Sequence, residues 1–153
     1  MALKSLNQLR PLRELLVRLR ARWLRVVIGV DADQTLRASQ SSRLAPGRRG
    51  SISIGPETLI AFKTLIYSRD PLTGEDRPVR IGARCFIGGG GMILPGVTIG
   101  DQCIVGAGAV VFEDMPARSL VGGNPARVLR RDVDVGAYGR LQGADENSRR
   151  LWS

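Results

Sequence analysis

The stretch IGARCFIGGGGMILPGVTIGDQCIVGAGAVV, residues 81–111, decides how this chain folds. A six-residue ruler laid along it touches Ile81, Ile87, Ile93, Ile99, Val105 and Val111, and upstream the same spacing gives Ile54, Ile60 and Ile66. All nine positions are Ile or Val, and seven of the chain's ten isoleucines lie on them. The following residue is Gly at 55, 82, 88, 100 and 106, and the fifth residue of each hexad is mostly small: Thr58, Thr64, Cys85, Gly91, Val97, Cys103 and Ala109. A period of six matches neither an α-helix nor plain alternation along one strand. It describes short strands separated by tight bends, with the aliphatic pointing inward and glycine easing the backbone at the bend. Three hexads close one coil, and coils stack at roughly 4.8 Å. A β-sandwich would space its turn signals about 8–12 residues apart instead. The expected fold is all-β, its core a stack of aliphatics each contributing roughly 1.5–3 kcal/mol.

Composition narrows the chemistry. The chain has 153 residues, a formal charge of +9 and no histidine. That excludes Ser-His-Asp and Cys-His nucleophile systems, histidine-ligated zinc and a histidine general base. Seven aromatic residues are too few for extended base stacking, so no nucleic-acid partner is expected. Charge is uneven: residues 1–50 hold 11 basic and 3 acidic side chains, whereas residues 51–125 hold 6 and 7. Cys85 and Cys103, 18 residues apart, should stack one above the other as small free core thiols, since parallel stacked side chains rarely offer a disulfide torsion.

The ruler divides the chain into residues 1–30, a basic amphipathic helical segment; 31–131, the coil; and 132–153, a glycine-rich, charged extension expected to cover the last coil. Leucines at helical spacing run from Leu3 to Leu24, interleaved with arginines, and Pro11 suits the start of the longer helix. Those leucines suit packing on the column's end or on another subunit. That packing is the favoured reading, while the basic face and Trp23 also allow residues 1–28 to contact an anionic membrane surface. No apolar run is long enough to span a bilayer and no secretory leader is evident, so the chain is expected to be cytoplasmic, with a peripheral membrane placement left open. Residues 36–53 read as an irregular first coil, with a turn at Pro46-Gly47.

The run 81–111, followed by GNPARVLR at 123–130, resembles the hexapeptide-repeat acyltransferases, and most narrowly the sugar and polysaccharide O-acetyltransferases. The likeness covers residues from about 36 to 131. It implies a left-handed parallel β-helix, a homotrimer and an acetyl-CoA site in the cleft between subunits. It also implies that Gly89, Gly90, Ala107 and Gly108 line the pantetheine groove and that Phe86 stands beside the acetyl group. Asn124 belongs to the GNPAR motif, in which Arg127 replaces the usual lysine, and Arg127 and Arg130 are candidates for the coenzyme's phosphates. The same glycines have a structural reading, since bends of such a coil call for glycine.

The ruler breaks after Ile66, where the chain should leave the coil near Tyr67, run through PLTGEDRP (71–78) and return at Val79. In the resembling enzymes this loop carries the catalytic histidine, which here falls on Arg69 or Asp70. Arginine stays protonated and cannot act as a base, so Asp70 is the candidate. The resemblance therefore implies acetyl transfer from acetyl-CoA to a sugar hydroxyl of a polysaccharide or glycolipid precursor, without a metal. Transfer to an amine, where a base matters less, and a non-catalytic trimer stay open. The gamma-type carbonic anhydrases share the coil but need three zinc-binding histidines and are excluded.

Overall fold

The computed structural model describes residues 10–141. Its strands come in sets of three, one set per coil. The first coil holds β1 (Asp31–Ala32), β2 (Arg37–Ala38) and β3 (Arg43–Ala45), and the second β4 (Ile52–Ile54), β5 (Leu59–Ile60) and β6 (Leu65–Tyr67). The third holds β7 (Val79–Ile81), β8 (Phe86–Ile87) and β9 (Met92–Ile93), and the fourth β10 (Thr98–Ile99), β11 (Ile104–Val105) and β12 (Val110–Val111). A closing hairpin, β13 (Leu120–Gly123) and β14 (Ala126–Arg130), follows.

Each strand pairs in parallel with its counterpart one coil on, giving three sheets. Face A is β1-β4-β7-β10, face B is β2-β5-β8-β11 extended by β13 and β14, and face C is β3-β6-β9-β12. The result is a three-sided parallel β-helix in which like positions stack: Ile60 on Ile87 on Val105 on Val121 down face B, and Leu44 on Ile66 on Ile93 on Val111 down face C. All nine ruler positions are buried, none more than 3% exposed.

Between these ladders, the fifth residue of each hexad that begins on face A closes the corner from face A to face B. Thr58 Oγ1 donates to the Gly82 carbonyl, Cys85 Sγ to that of Gly100, and Cys103 Sγ to that of Pro116. A bend carbonyl buried without a partner would be costly, so this position needs a side chain both small and able to donate. Both cysteines are free and buried. The Cys103 thiol beside it and burial together push the Cys85 thiol up, holding it protonated as a core donor.

Two readings are corrected here. The first coil is regular, not irregular: Ala32 lies in register with Ile54, Ala38 with Ile60 and Leu44 with Ile66. It escaped the ruler because those positions are not β-branched. Over its described part, residues 132–141, the segment after Arg131 does not cover the last coil. The closing hairpin does that, with Ala126 in the core and Val128 packed against it. The segment instead runs back along the column: Val133 N–H bonds to the Arg118 carbonyl, Tyr138 N–H to that of Glu57, and the Arg37 guanidinium lies 4.4 Å from the Tyr138 ring centre.

Helix α1 (Arg10–Trp23) continues as a π-helical turn over Leu24–Ile28 and closes the other end of the column. It stops at Gly29, whose left-handed backbone (φ 84°) returns its N–H to the Leu24 carbonyl. An added Cβ there would also meet the Arg49 stem at 2.7 Å. Ala21 and Leu24 are buried against the first coil, while Arg20 and Gln40 tie helix and coil together through the Ser42 and Leu16 carbonyls. The leucines Leu12, Leu15, Leu16 and Leu19 face outward, so the column's end does not account for them. Leu3, Leu6 and Leu9 lie outside the described residues.

The ladder sets two expectations. Ile87→Ala removes a fully buried rung and should cost about 2–5 kcal/mol, read as a lowered denaturation midpoint. A thiol reagent at mildly alkaline pH should label neither cysteine in the folded protein and both in denaturant; labelling of the native state would mean the thiols are not core donors.

Candidate functional site

The corner between faces B and C differs from the other corners by what it lacks. Its bends read AFKT (61–64), GGGG (88–91) and GAGA (106–109) in successive coils. Two kinds of glycine must be separated there. At Gly88 and Gly82 the first residue of the bend has no room for a side chain: an added Cβ on Gly88 would sit 2.6 Å from the Ala107 nitrogen, and one on Gly82 2.6 Å from the Asp101 nitrogen, whereas the coil before Gly88 carries Ala61 at its place. Those glycines serve the coil.

The third residue of the bend has positive φ, 70° at Gly90 and 69° at Gly108, which suggests the same explanation. Yet the equivalent position is Lys63 one coil earlier, and at the A–B corner it is Glu57, Arg84, Gln102 and Arg118, all with φ between 54° and 58°. The fold therefore accepts ordinary residues at this position. A Cβ on Gly90 or Gly108 would meet nothing within 4 Å. These two glycines leave an edge bare that the coil does not require to be bare.

The bare edge exposes backbone. Gly90 N–H is taken by the Phe62 carbonyl and Gly108 N–H by that of Gly89. Among the described residues, the N–H groups of Gly89 and Ala107 and the carbonyls of Gly90 and Gly108 have no protein partner. A slender chain carrying amides finds both donors and acceptors there, without side chains in the way. This places Gly89, Gly90, Ala107 and Gly108 together as one strip of surface.

The closing hairpin continues the strip upward. Val121 stacks on Val105, so Gly122 follows above Gly106, and the turn at Asn124-Pro125, whose peptide bond is cis, projects over the edge. Arg127 pairs with Gly122 beside this corner, and its guanidinium donates to Glu113 at 2.6 Å. Arg130 pairs instead with Leu120, at the far side of face B. That is roughly 10 Å along the strand, so the two arginines are not brought to one point. Phe86 likewise lies on the outer surface of face B, before the bend, with Gly139 packed against it.

Two residues at the edge were not singled out from the sequence. The Phe62 ring lies over Gly89, where an added Cβ would come within 2.6 Å of it, and Lys63 stands one coil below Gly90 on the bare strip. The readable signal was an aromatic at a bend position of the six-residue spacing, and the structure leaves Phe62 61% exposed.

The loop between β6 and β7 leaves from the corner between faces C and A, so face C separates it from the bare edge. It leaves the coil after Tyr67 and returns at Val79, where the broken ruler put it. Arg69 bridges Asp76 across a small hairpin. Asp70 turns its tip: Oδ1 accepts the N–H groups of Leu72 (2.8 Å) and Thr73 (3.3 Å), and Oδ2 lies 3.9 Å from Arg77. Asp76 anchors the loop's base, accepting from the buried Ser68 hydroxyl at 2.6 Å beside Ser51 and lying 2.9 Å from Arg48. Arg69 and Asp70 occupy adjacent places in the hairpin, and Asp70 alone offers an acceptor.

The chain is similar to known proteins in sequence and in fold. Residues 78–113 match the family model for the hexapeptide repeat of succinyl-transferase. Nodulation protein L of Rhizobium meliloti is 50% identical over 86 residues, which cover 50% of this chain and 47% of that protein. A hexapeptide-repeat acetyltransferase of Vibrio cholerae, solved in complex with acetyl coenzyme A, superposes with a TM-score of 0.60 at 26% identity, covering 87% of this chain and 92% of its own. A maltose O-acetyltransferase from Clostridium difficile gives 0.60 at 27% identity, covering 86% and 90%. The chain spans about half the length of the curated relatives it matches.

The division of glycines predicts a contrast. Gly88→Ala forces a methyl onto backbone and should destabilise the column severely or prevent folding. Gly108→Ala should cost only about 1–2 kcal/mol, the usual penalty for a left-handed residue with a Cβ. Equal costs in parallel melts would show that both glycines serve the coil alone.

Proposed function

We propose that the chain is a hexapeptide-repeat acyltransferase, and more narrowly an acetyl-CoA-dependent acetyltransferase acting on a sugar hydroxyl, in polysaccharide or glycolipid assembly; the repeat match over residues 78–113 and the likeness to solved acetyltransferases support this reading. The observation that carries the reading is the bare edge, two coils deep, whose third-position glycines the coil does not need. In this reading Gly89 and Ala107 donate to, and Gly90 and Gly108 accept from, the amides of the pantetheine arm, while Phe62 and Lys63 bound the strip from below. Arg127, beside the same corner, exchanges Glu113 for a phosphate of the coenzyme, and Asn124 borders the upper end. Arg130 and Phe86 belong to the periphery of the site.

The loop and the bare edge stand on different edges of one column, so a bound thioester and its acceptor need a second copy. We place the loop 67–78 of one subunit against the glycine edge of the next, in a homotrimer of left-handed columns. The outer ladders support the arrangement: face A is polar outside (Asp31, Ser53, Arg80, Thr98), whereas Leu59, Phe86, Ile104 and Leu120 on face B and Leu65, Met92 and Val110 on face C are half-buried and apolar. Those two faces flank the bare edge.

Asp70 is the base in this scheme. Oδ1 is committed to the turn, leaving Oδ2 to take the hydroxyl proton as the oxygen bonds to the acetyl carbonyl; the carbon–sulfur bond breaks and the coenzyme departs as the thiol, carrying that proton. The turn-making role of Asp70 also favours a second reading, transfer to a neutral amine, which needs no strong base.

Two measurements test this. Acetyl-CoA at about a hundred times its Kd should stabilise the protein by roughly 2.7 kcal/mol. Gly108→Asn, which keeps the left-handed bend and fills the strip, should abolish that gain; an unshifted wild-type melt at saturating coenzyme rejects the proposal. Asp70→Asn keeps an oxygen for the Leu72 and Thr73 N–H groups but removes the base, so acceptor-dependent thiol release should fall about 10²–10⁴-fold. Full activity in Asp70→Asn would favour the amine acceptor.

A further inference from the structure

Helix α1 and its π-helical turn carry two apolar stripes, and the column uses only one. Ala21 and Leu24 are buried on the first coil, with Val17 and Ile28 half-buried beside them. The second stripe runs Leu12, Leu15, Leu16, Leu19, Trp23, Val26 and Val27, every member between 42% and 61% exposed. Arginines border it on both sides: Arg18, Arg22 and Arg25 along one flank, Arg13 and Arg20 along the other. Arg20 lies 4.6 Å from the Trp23 ring centre. The sole acid between residues 10 and 28 is Glu14, which turns toward the column and lies 3.5 Å from Arg37. Arg18, Arg22 and Arg25 also line a groove of about 670 Å³ between the helix and the first coil.

From this pattern we infer that α1 docks the column onto an anionic lipid bilayer, its outer stripe lying among the acyl chains and Arg18, Arg22 and Arg25 on the lipid phosphates. No helix among the described residues is long and apolar enough to cross a membrane. A stripe between two basic rows is the form suited to lying in the headgroup region instead. Trp23 adds an apolar body that tolerates a wet edge. Self-pairing of the same stripe would set arginine rows against each other with no outward acid to neutralise them. Nucleic acid would satisfy the arginines but leave the apolar residues in water. Only a surface both anionic and apolar meets both demands. The inference does not rest on acyl transfer and is tested without coenzyme.

The test is flotation of the 153-residue chain with vesicles of phosphatidylcholine alone or with about one-third phosphatidylglycerol, at low and high salt. The wild type should float with the anionic vesicles, lose binding as salt rises and stay behind with the neutral ones. Leu16→Glu with Leu19→Glu should abolish flotation, and Arg18→Glu with Arg22→Glu should weaken it by at least about thirtyfold. All four positions lie off the core, and circular dichroism checks that both variants keep the fold. In a Trp152→Phe background, Trp23 emission should shift to the blue on adding anionic vesicles. Failure of the wild type to float overturns the inference. So does flotation unchanged by both double substitutions, which would put the contact outside α1. Self-association abolished by the leucine substitutions, without vesicle binding, would assign the stripe to a second copy and overturn it equally.

Discussion

The structure depends on in-register stacking of like positions. Each inward aliphatic packs on the aliphatic one coil above and below, so a rung has the same neighbours as every other rung. That repetition explains why β-branched residues dominate: they lose little side-chain freedom in a strand and fill a narrow triangular section. The same translation stacks the corners. A residue that succeeds in one bend is offered the same backbone in the next, which is why Thr58, Cys85 and Cys103, chemically different, make the same bond to the carbonyl of the following coil. Departures from the repeat must leave the column sideways, as the loop between Tyr67 and Val79 does.

This regularity decides what the sequence could reveal. Wherever the rung is Ile or Val, the six-residue spacing identified the buried side chain. In the first coil Ala32, Ala38 and Leu44 do the same work with less distinctive residues, and only pairing with Ile54, Ile60 and Ile66 shows it. The path after Arg131 was hidden for another reason: Val133, Val135 and Tyr138 pack on surfaces assembled from several coils, and no local pattern encodes that. The leucines of α1 were legible as helical, but spacing cannot say which of two stripes faces the column.

The candidate site was partly legible, and its residues fall into two classes. Gly89, Gly90, Ala107 and Gly108 are consecutive in a repeat, so their convergence on one edge followed from the period. What spacing could not decide was whether glycine was there for the bend or for the surface. Comparison of equivalent corners separates the two, because Lys63, Glu57, Arg84, Gln102 and Arg118 hold the same φ with full side chains. Arg127 and Arg130, three residues apart in sequence, are separated by strand geometry; only the antiparallel register of β13 with β14 reveals that. The turn role of Asp70 was written in the DPLTG stretch, an acidic residue followed by proline and glycine, which is ordinary turn chemistry.

A column of stacked coils can repeat a feature along its axis but cannot bring one edge to another. Here the exposed backbone is on one edge, the loop with its carboxylates on a second, and the polar outer face opposite the first. Chemistry that needs both backbone groups and a carboxylate must therefore recruit a neighbour, and rotation about an axis parallel to the columns is the operation that lays different edges of identical columns together. The missing histidine matters less in that setting than it would in a pre-formed pocket. In the trimer proposed above a base on the loop would be positioned by its own turn and by the neighbour it meets, and Asp70 has one oxygen spent on the turn and the other 3.9 Å from Arg77.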